Sequence, residues 1–204
     1  MRLGIFGGSF DPVHFGHLRL AECCRDQRAL DRVWFLPAAV SPHKPDGSQA
    51  GDGERLAMLE LALADYEGFE VNSLELQRGG VSYTVDTLTE IAATVPEAEL
   101  FLLLGADSLV DLPLWHRTEE ICRLAIPLVV GRPDAAEPDF QRLATVLPSE
   151  RIEVIRRHQV EMPPVAASST EIRRRVAAGE SIDDLTPVAV AQYIGEHRLY
   201  RVDS

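Results

Sequence analysis

The sequence predicts an α/β fold: a doubly wound parallel sheet with additional helices at its C-terminal end. Short β-rich segments alternate with segments in which apolar residues have helical spacing. Several of the β-rich segments are almost continuously apolar, which is typical of strands buried on both faces of a parallel sheet. From about residue 168 the spacing is helical, and no further strand is expected.

The predicted elements follow one another as βαβ units. We expect strands at residues 2–6, 32–37, 69–72, 99–104, 126–130 and 151–155. Helices are expected at residues 16–27, 53–64, 85–94 and 138–146, and then at 168–178 and 187–197. Residues 38–52 and 132–137 are rich in Pro, Gly, Ser and Asp and are predicted to be loops. This order is that of a Rossmann-like sheet with helices on both faces.

Length and composition indicate one globular unit. The chain has 204 residues, of which 46% are hydrophobic and 25% charged. A chain of this length buries roughly 70% of its unfolded surface, so folding requires neither a metal nor a disulfide. We therefore expect residues 1–204 to form a single domain with a small helical portion from about residue 168. Cys23 and Cys24 fit no disulfide or zinc pattern and are expected to pack as small apolar side chains.

The charge balance limits the kinds of partner. Lys and Arg total 20 against 32 Asp and Glu, a formal charge of −12, which argues against nucleic-acid binding. The longest apolar runs, at 100–104 and 124–130, are far shorter than a membrane span, and the N-terminus has no apolar stretch of signal-peptide length. We expect a cytoplasmic protein that binds neither nucleic acid nor membrane. A phosphate-binding site would have to concentrate its few cations locally.

The most informative segment is GGSFDPVHFGH at residues 7–17, between the first strand and the first helix. Ligands of open α/β sheets bind outside the carboxyl ends of the strands, where this turn is expected. Its glycines permit positive φ and a close approach of backbone N–H groups to a phosphate. The spacing of His14 and His17 places both at the helix start, where imidazoles could donate hydrogen bonds to phosphoryl oxygens. Two alternatives remain: incidental histidines, or a metal site completed by Asp11.

This segment resembles the G-x-F-D-P-x-H-x-G-H signature of the nucleotidyltransferase α/β phosphodiesterase superfamily. A chance match at seven fixed positions in a chain of this length has a probability on the order of 10⁻⁷. A second segment, ASSTEIR at residues 167–173, is similar to that superfamily's I-S-S-T-x-I-R signature, with Ala167 in place of Ile. Its helix-start N–H groups, hydroxyls and Arg173 could cradle a triphosphate. Alternatively, Ser168 and Glu171 form a capping box on an ordinary surface helix.

Further matches resemble one branch, the bacterial nicotinate-nucleotide adenylyltransferases. They are Pro42-His43-Lys44, SYTVDTL at 82–88, Gly105-Ala106-Asp107, and LPLW at 112–115. The loop differs from the family pattern in having Ser41 in place of a proline. Each match also has an ordinary reading, since Lys44 could be solvated, Asp107 could cap the next helix, and Trp115 could belong to the core.

The resemblance implies an adenylyltransferase that joins ATP to nicotinate mononucleotide and releases pyrophosphate, with Mg²⁺ carried by ATP. The implied catalytic residues are His14, His17, Lys44 and Arg173. The implied ATP-binding residues are Gly7, Gly8, Ser9, Phe10, His14, His17, Gly105, Asp107, Ser168, Ser169, Thr170 and Arg173. The implied residues for nicotinate mononucleotide are Lys44, Tyr83, Thr84, Trp115 and His116. Alternatives are another phosphorylated acceptor, such as phosphopantetheine or nicotinamide mononucleotide, and a non-catalytic nucleotide-binding module.

Overall fold

A computed structural model describes residues 1–42, 47–131 and 139–201, apart from the side chain of Asp107. Its centre is a six-stranded parallel sheet in the order β3-β2-β1-β4-β5-β6. The strands are β1 Arg2–Gly8, β2 Arg32–Pro37, β3 Phe69–Val71, β4 Glu99–Gly105, β5 Ala125–Gly131 and β6 Val160–Glu161. The predicted α/β fold and its doubly wound parallel sheet are confirmed.

Helices cover both faces of the sheet. Within the described residues they are α1 Phe15–Arg28, α2 Asp52–Leu63, α3 Leu74–Arg78, α4 Thr84–Thr94, α5 Ala106–Asp111, α6 Thr118–Leu124, α7 Ser149–Arg157, α8 Ser169–Ala178 and α9 Val188–Glu196. Two 3₁₀ turns lie at Leu112–Leu114 and Gln141–Thr145. Nowhere in the described part of the chain is a helix long and apolar enough to cross a membrane.

Successive side chains of each strand point to opposite faces of the sheet, so the apolar core has two layers. Phe101 and Leu103 of β4 face the layer formed with α1, α2, α8 and α9. Leu100, Leu102 and Leu104 face the opposite layer, formed with α4 to α7. Each face of a strand therefore buries every second side chain, which explains why these strands read as continuous apolar runs.

The C-terminal helices share the core of the sheet. Ile172 of α8 and Val190 and Ile194 of α9 are buried in the same cluster as Leu18 of α1. No strand separates α8 from α9, as predicted. Burial of these apolar side chains attaches the last part of the chain to the layer that also carries the first helix.

Two predicted elements are wrong. Residues 151–155 belong to helix α7, Ser149–Arg157, and the sixth strand is the short Val160–Glu161. The sequence RIEVI alternates like a strand, but Ile152 and Ile155 also have the i, i+3 spacing of a helix. The helix expected at 138–146 is instead the 3₁₀ turn Gln141–Thr145. The predicted loop at 132–137 lies outside the described residues.

Candidate active site

The strand order reverses between β1 and β4, and a cleft opens outside their carboxyl ends. Ligands of doubly wound sheets bind at this switch point. The cleft has a volume of about 370 Å³. Its walls include several residues predicted from the two signatures and the branch motifs: Gly7, Gly8, Ser9, His17, Thr84, Gly105 and Trp115. Part of the predicted set thus lies together on this cleft, and its walls do not contain every predicted residue.

The glycines of the turn do not have the positive φ that the sequence suggested. Gly7 and Gly8 are the last residues of β1, and the left-handed conformation falls on Phe10, at φ 45°. The Phe10 ring is buried edge-on against Phe6 at a centroid distance of 5.4 Å. A Cβ at Gly7 would meet no atom within 4 Å, so this glycine leaves open space on the cleft wall. Phe10 itself supports the turn from the core and does not line the cleft.

The two histidines of the signature have different surroundings. His14 is the N-cap of α1 and His17 is its third residue, and their rings stack at 3.7 Å. The backbone N–H of His14 donates to Nδ1 of His17 at 3.3 Å, which in a neutral ring leaves the proton on Nε2. Only His17 lines the cleft. Its orientation is therefore fixed by the backbone of the same turn.

His14 is almost completely buried. It is 9% exposed, and burial lowers its pKa to about 4, so the ring is neutral at pH 7. A neutral His14 ring can still donate one hydrogen bond, which is the role that the sequence suggested for it. A Cβ at Gly16 would lie 2.9 Å from the His14 ring and 3.2 Å from the Ala167 carbonyl oxygen. Gly16 is thus needed for the approach of α8 to the start of α1.

The side chain of Asp11 anchors the turn to distant parts of the chain. Its carboxylate is 4% exposed and accepts hydrogen bonds from the backbone N–H groups of Gln49 and Ala50, at 2.8 and 3.1 Å. The hydroxyl of Tyr200 donates to the same carboxylate at 2.8 Å. Among the described residues, no group of three or more His, Cys, Asp or Glu side chains could hold a metal ion. We interpret Asp11 as a structural acceptor.

Arg55 of α2 is a second anchor that the sequence analysis missed. The side chain is fully buried and donates to the carbonyl oxygens of Ser9 at 2.8 Å and Ala38 at 2.7 Å. It therefore joins the loops that follow β1 and β2. The sequence contained a signal, because Arg55, Met58 and Leu59 have the spacing of one buried helix face.

The second signature packs directly on the first. Ser168 caps α8 by accepting from the Glu171 N–H at 3.2 Å, so the predicted cap is confirmed. The Glu171 carboxylate bonds Arg174 and Arg175, not the cap residue. The prediction of a complete capping box is therefore wrong, because Arg174 and Arg175 compete for this carboxylate.

Two side chains of α8 reach the turn. The Ser169 hydroxyl donates to the Pro12 carbonyl at 2.9 Å, and Nη1 of Arg173 donates to the Asp11 carbonyl at 2.6 Å. The same Nη1 lies 3.9 Å from the Asp11 carboxylate. Thr170 is exposed, and Ser168 to Arg173 do not form part of the cleft wall. Arg173 therefore faces the motif turn, whereas Arg174 and Arg175 bond Glu171.

A second pocket, of about 540 Å³, adjoins the cleft. It is lined by all the described residues that the family resemblance implies for nicotinate mononucleotide: Tyr83, Thr84, Trp115 and His116. Thr84 and Trp115 belong to both spaces. The rings of Tyr83 and His116 are 4.8 Å apart, and Thr84 is the first residue of α4. The fold thus brings together two segments that lie more than 30 positions apart in the sequence.

Two predicted site residues, Lys44 and Asp107, lie wholly or partly outside the described part of the chain. Lys44 lies outside the described residues, although Ser41 and Pro42 line the cleft. Asp107 is in the first turn of α5, and its side chain lies outside the description. The N-cap of that helix is Gly105, so the reading of Asp107 as the helix cap is wrong.

The fold and the switch-point turn define a nucleotidyltransferase. A family model described as cytidylyltransferase-like matches residues 5–175. A probable nicotinate-nucleotide adenylyltransferase of Thermomicrobium roseum is 44% identical over 200 residues, covering 98% of this chain and 92% of that protein. A protein of the same name from Dehalococcoides mccartyi is 39% identical, with 98% and 97% coverage. The chain belongs to the nicotinate-nucleotide adenylyltransferase family.

Solved structures share the fold. Plasmodium falciparum nicotinic acid mononucleotide adenylyltransferase complexed with APC has a TM-score of 0.75 at 16% identity, covering 98% of this chain and 96% of that chain. The same enzyme complexed with NaAD has a TM-score of 0.74 at 17% identity, with coverages of 98% and 97%. At these identities the likeness concerns the fold alone.

Proposed function

We propose that this protein transfers the adenylyl group of ATP to nicotinate mononucleotide, giving nicotinate adenine dinucleotide and pyrophosphate. The observation that carries the proposal is the pair of adjoining spaces at the switch point, which share Thr84 and Trp115. The cleft begins at the turn after β1, which is of the type that binds phosphate groups. The adjoining pocket is lined by aromatic side chains. Two nucleotides bound in this way would meet at the shared wall.

The reaction requires positioning more than a nucleophile on the protein. A 5′-phosphate oxygen of the mononucleotide attacks the α-phosphorus of ATP, the bond to the bridging oxygen breaks, and pyrophosphate leaves with the electron pair. A phosphate monoester is largely ionised at pH 7, because its second pKa is about 6, so no base has to remove a proton. The protein's task is to align the two phosphates and to stabilise the developing charge.

His17 is the side chain best placed to do so. Its Nδ1 accepts from the turn and its ring lines the cleft, so we assign to Nε2–H the role of donor to the α-phosphate and the leaving oxygens. Arg173 supports the turn through the Asp11 carbonyl and would add a fixed positive charge near the triphosphate. His14 would act as a neutral donor, and Lys44 as a further cation on the loop after Pro42.

For the divalent metal we propose Mg²⁺ that enters with ATP. Mg²⁺ prefers oxygen ligands and is commonly held by substrate phosphates together with water. Within residues 1–42, 47–131 and 139–201 no cluster of metal-ligating side chains competes for it. We also propose that the reaction takes place in the cytoplasm, in keeping with the small phosphorylated substrates.

The acceptor ring would stack on Trp115. The N–H of Thr84 is at the positive N-terminal end of α4, where a carboxylate is favoured over a neutral amide. The N–H of His116, next to the indole, would be the second donor. Both residues line the acceptor pocket, which supports the assignment of nicotinate mononucleotide as acceptor.

Pyrophosphate release tests the proposal. The purified protein should release pyrophosphate from ATP with Mg²⁺ and nicotinate mononucleotide, and chromatography should show the dinucleotide. Parallel reactions should contain nicotinamide mononucleotide or phosphopantetheine, or CTP in place of ATP. Turnover only with phosphopantetheine would assign a different transferase, and ATP binding without turnover on any acceptor would leave a binding module.

A further inference from the structure

A buried carboxyl group on the cleft wall has no role in the mechanism above. Glu75 of α3 is 5% exposed and borders the cleft near Thr84. Desolvation raises its pKa, and neighbouring hydrogen bonds lower it in part. An acid beside a site for two phosphate-bearing substrates repels them when ionised, so its presence requires an explanation in terms of its contacts.

Glu75 has two hydroxyl groups beside its carboxyl group. Thr87 Oγ1 donates to Oε1 at 2.7 Å, and the side chain of Ser82 lies close enough to lower the pKa of the same carboxyl group. The guanidinium of Arg78 donates to Thr87 Oγ1 at 2.8 Å and so completes the network from the other side. Glu75 and Arg78, both on α3, are therefore tied to α4 through the Thr87 hydroxyl.

The two hydroxyl groups flank Thr84 in the chain. Ser82 lies two residues before it, and Thr87 is in the first turn of α4. Ser82 Oγ also accepts the N–H of Ala39 at 3.0 Å, and its own N–H donates to the Val40 carbonyl at 2.9 Å. One carboxyl group thus joins the loop after β2 to the start of α4.

We propose that Glu75 is a positioning residue for the acceptor site. It holds Ser82 and Thr87 so that the N–H of Thr84 at the start of α4 points into the acceptor pocket. It touches no substrate and acts through these two hydroxyl groups. The proposal rests on the function assigned above.

The test compares Glu75→Ala with Glu75→Gln, and Glu60→Ala is the control because Glu60 is an exposed acid on α2. Glu75→Ala should raise the KM for nicotinate mononucleotide about tenfold or more, because the hydrogen bonding that holds the start of α4 is lost. The KM for ATP should stay within about twofold, since the turn after β1 is anchored separately. Glu75→Gln keeps an acceptor oxygen and should recover most of the loss, and Glu60→Ala should match the wild type.

Hydrogen exchange of the amides at 84–87 gives a readout that does not depend on activity. Glu75→Ala should accelerate it, whereas exchange at 14–18 should be unchanged. Equal changes in both KM values, or unchanged exchange at 84–87, would overturn the positioning role. A wild-type protein that exchanges as expected but does not turn over nicotinate mononucleotide would instead refute the proposed function.

Discussion

The two sides of the cleft are held in different ways. The turn at residues 7–17 is fixed by partners far away in the sequence: Asp11 is bonded by Ala50 and Tyr200, and Pro12 by Ser169. On the acceptor side the bonds come from parts of the chain nearer in sequence than α8 and Tyr200: Thr87 bonds Glu75 in the same region, and Ser82 bonds the loop after β2 at Ala39. A turn that aligns two phosphates must be rigid, because small displacements are costly to the rate. The acceptor pocket can be built from short segments whose variation changes the acceptor and not the chemistry.

The largest effect is expected at the turn. His17→Ala should lower kcat about 10²–10³-fold, because one preorganised donor to the transition state is lost. KM values should change little, since the donor serves the transition state more than the bound substrates. Steady-state kinetics would measure this, with His197→Ala at the exposed end of α9 as the control. A near-normal kcat would refute the donor role of His17.

On the acceptor side we expect a preference for nicotinate over nicotinamide mononucleotide. Two charge-assisted hydrogen bonds from the Thr84 and His116 N–H groups favour a carboxylate by about 3 kcal/mol, on the order of a hundredfold. Competition between the two mononucleotides at equal concentration gives the ratio of kcat/KM. A ratio near one would mean that these N–H groups do not distinguish the ring substituents.

The burial of His14 predicts a pH dependence of stability. Its pKa in the folded protein, about 4, lies below the ordinary 6.5, so the unfolded chain binds the proton first as the pH falls. The stabilisation by neutral His14 is complete above pH 6.5 and is lost down to about pH 4. This loss should amount to about 3 kcal/mol. Urea unfolding of the wild type and of His14→Gln at pH 7 and pH 4 isolates this contribution of His14. If both proteins lost the same free energy of unfolding between the two pH values, His14 would not be its source.

Arg173→Ala should weaken the binding of ATP more than the binding of nicotinate mononucleotide. Loss of a charged donor next to the turn corresponds to about 2 kcal/mol, or roughly a thirtyfold higher KM for ATP. Arg174→Ala is the matched control, because Arg174 bonds Glu171 and Glu180 on the surface. Equal effects on the two substrates would reduce α8 to a capped helix that only packs against the turn.

The smallest effect tests the long-range anchoring itself. Tyr200→Phe removes one of the hydrogen bonds to the Asp11 carboxylate and leaves the ring in place. We expect a loss of about 1 kcal/mol in the free energy of unfolding, measured by urea denaturation. An unchanged stability would show that the backbone donors at 49 and 50 hold Asp11 without help from the C-terminal segment.

The sequence predicted the sheet better than the short elements. Strands buried on both faces are nearly continuous apolar runs, so β4 and β5 were recognised from their composition. Helices such as α3, Leu74–Arg78, are too short to show a periodic pattern and were missed. At 151–155 two readings of the same apolar spacing competed, and the signals for a helix start, Pro148 and then Ser149 and Glu150, were overlooked.

The candidate site was predictable where short sequence motifs marked its residues. His17, Thr84 and Trp115 lie on the cleft as the motifs indicated. The supports of the site were not predictable, because a single sequence does not show that Tyr200 pairs with Asp11. Arg55 is the exception, since its position on a buried helix face could have been read from the spacing.

The hydrogen bonds from α8 and Tyr200 to the turn at residues 7–17 also determine when that turn is completed during synthesis. The ribosome makes residues 7–17 first, but Ser169, Arg173 and Tyr200 emerge only after every strand of the sheet has been translated. Synthesis proceeds at about 5–20 residues per second, and a domain generally folds as a unit. The earliest part of the site is therefore the last to be completed, and a nascent chain that stalls before α8 carries an unfinished turn.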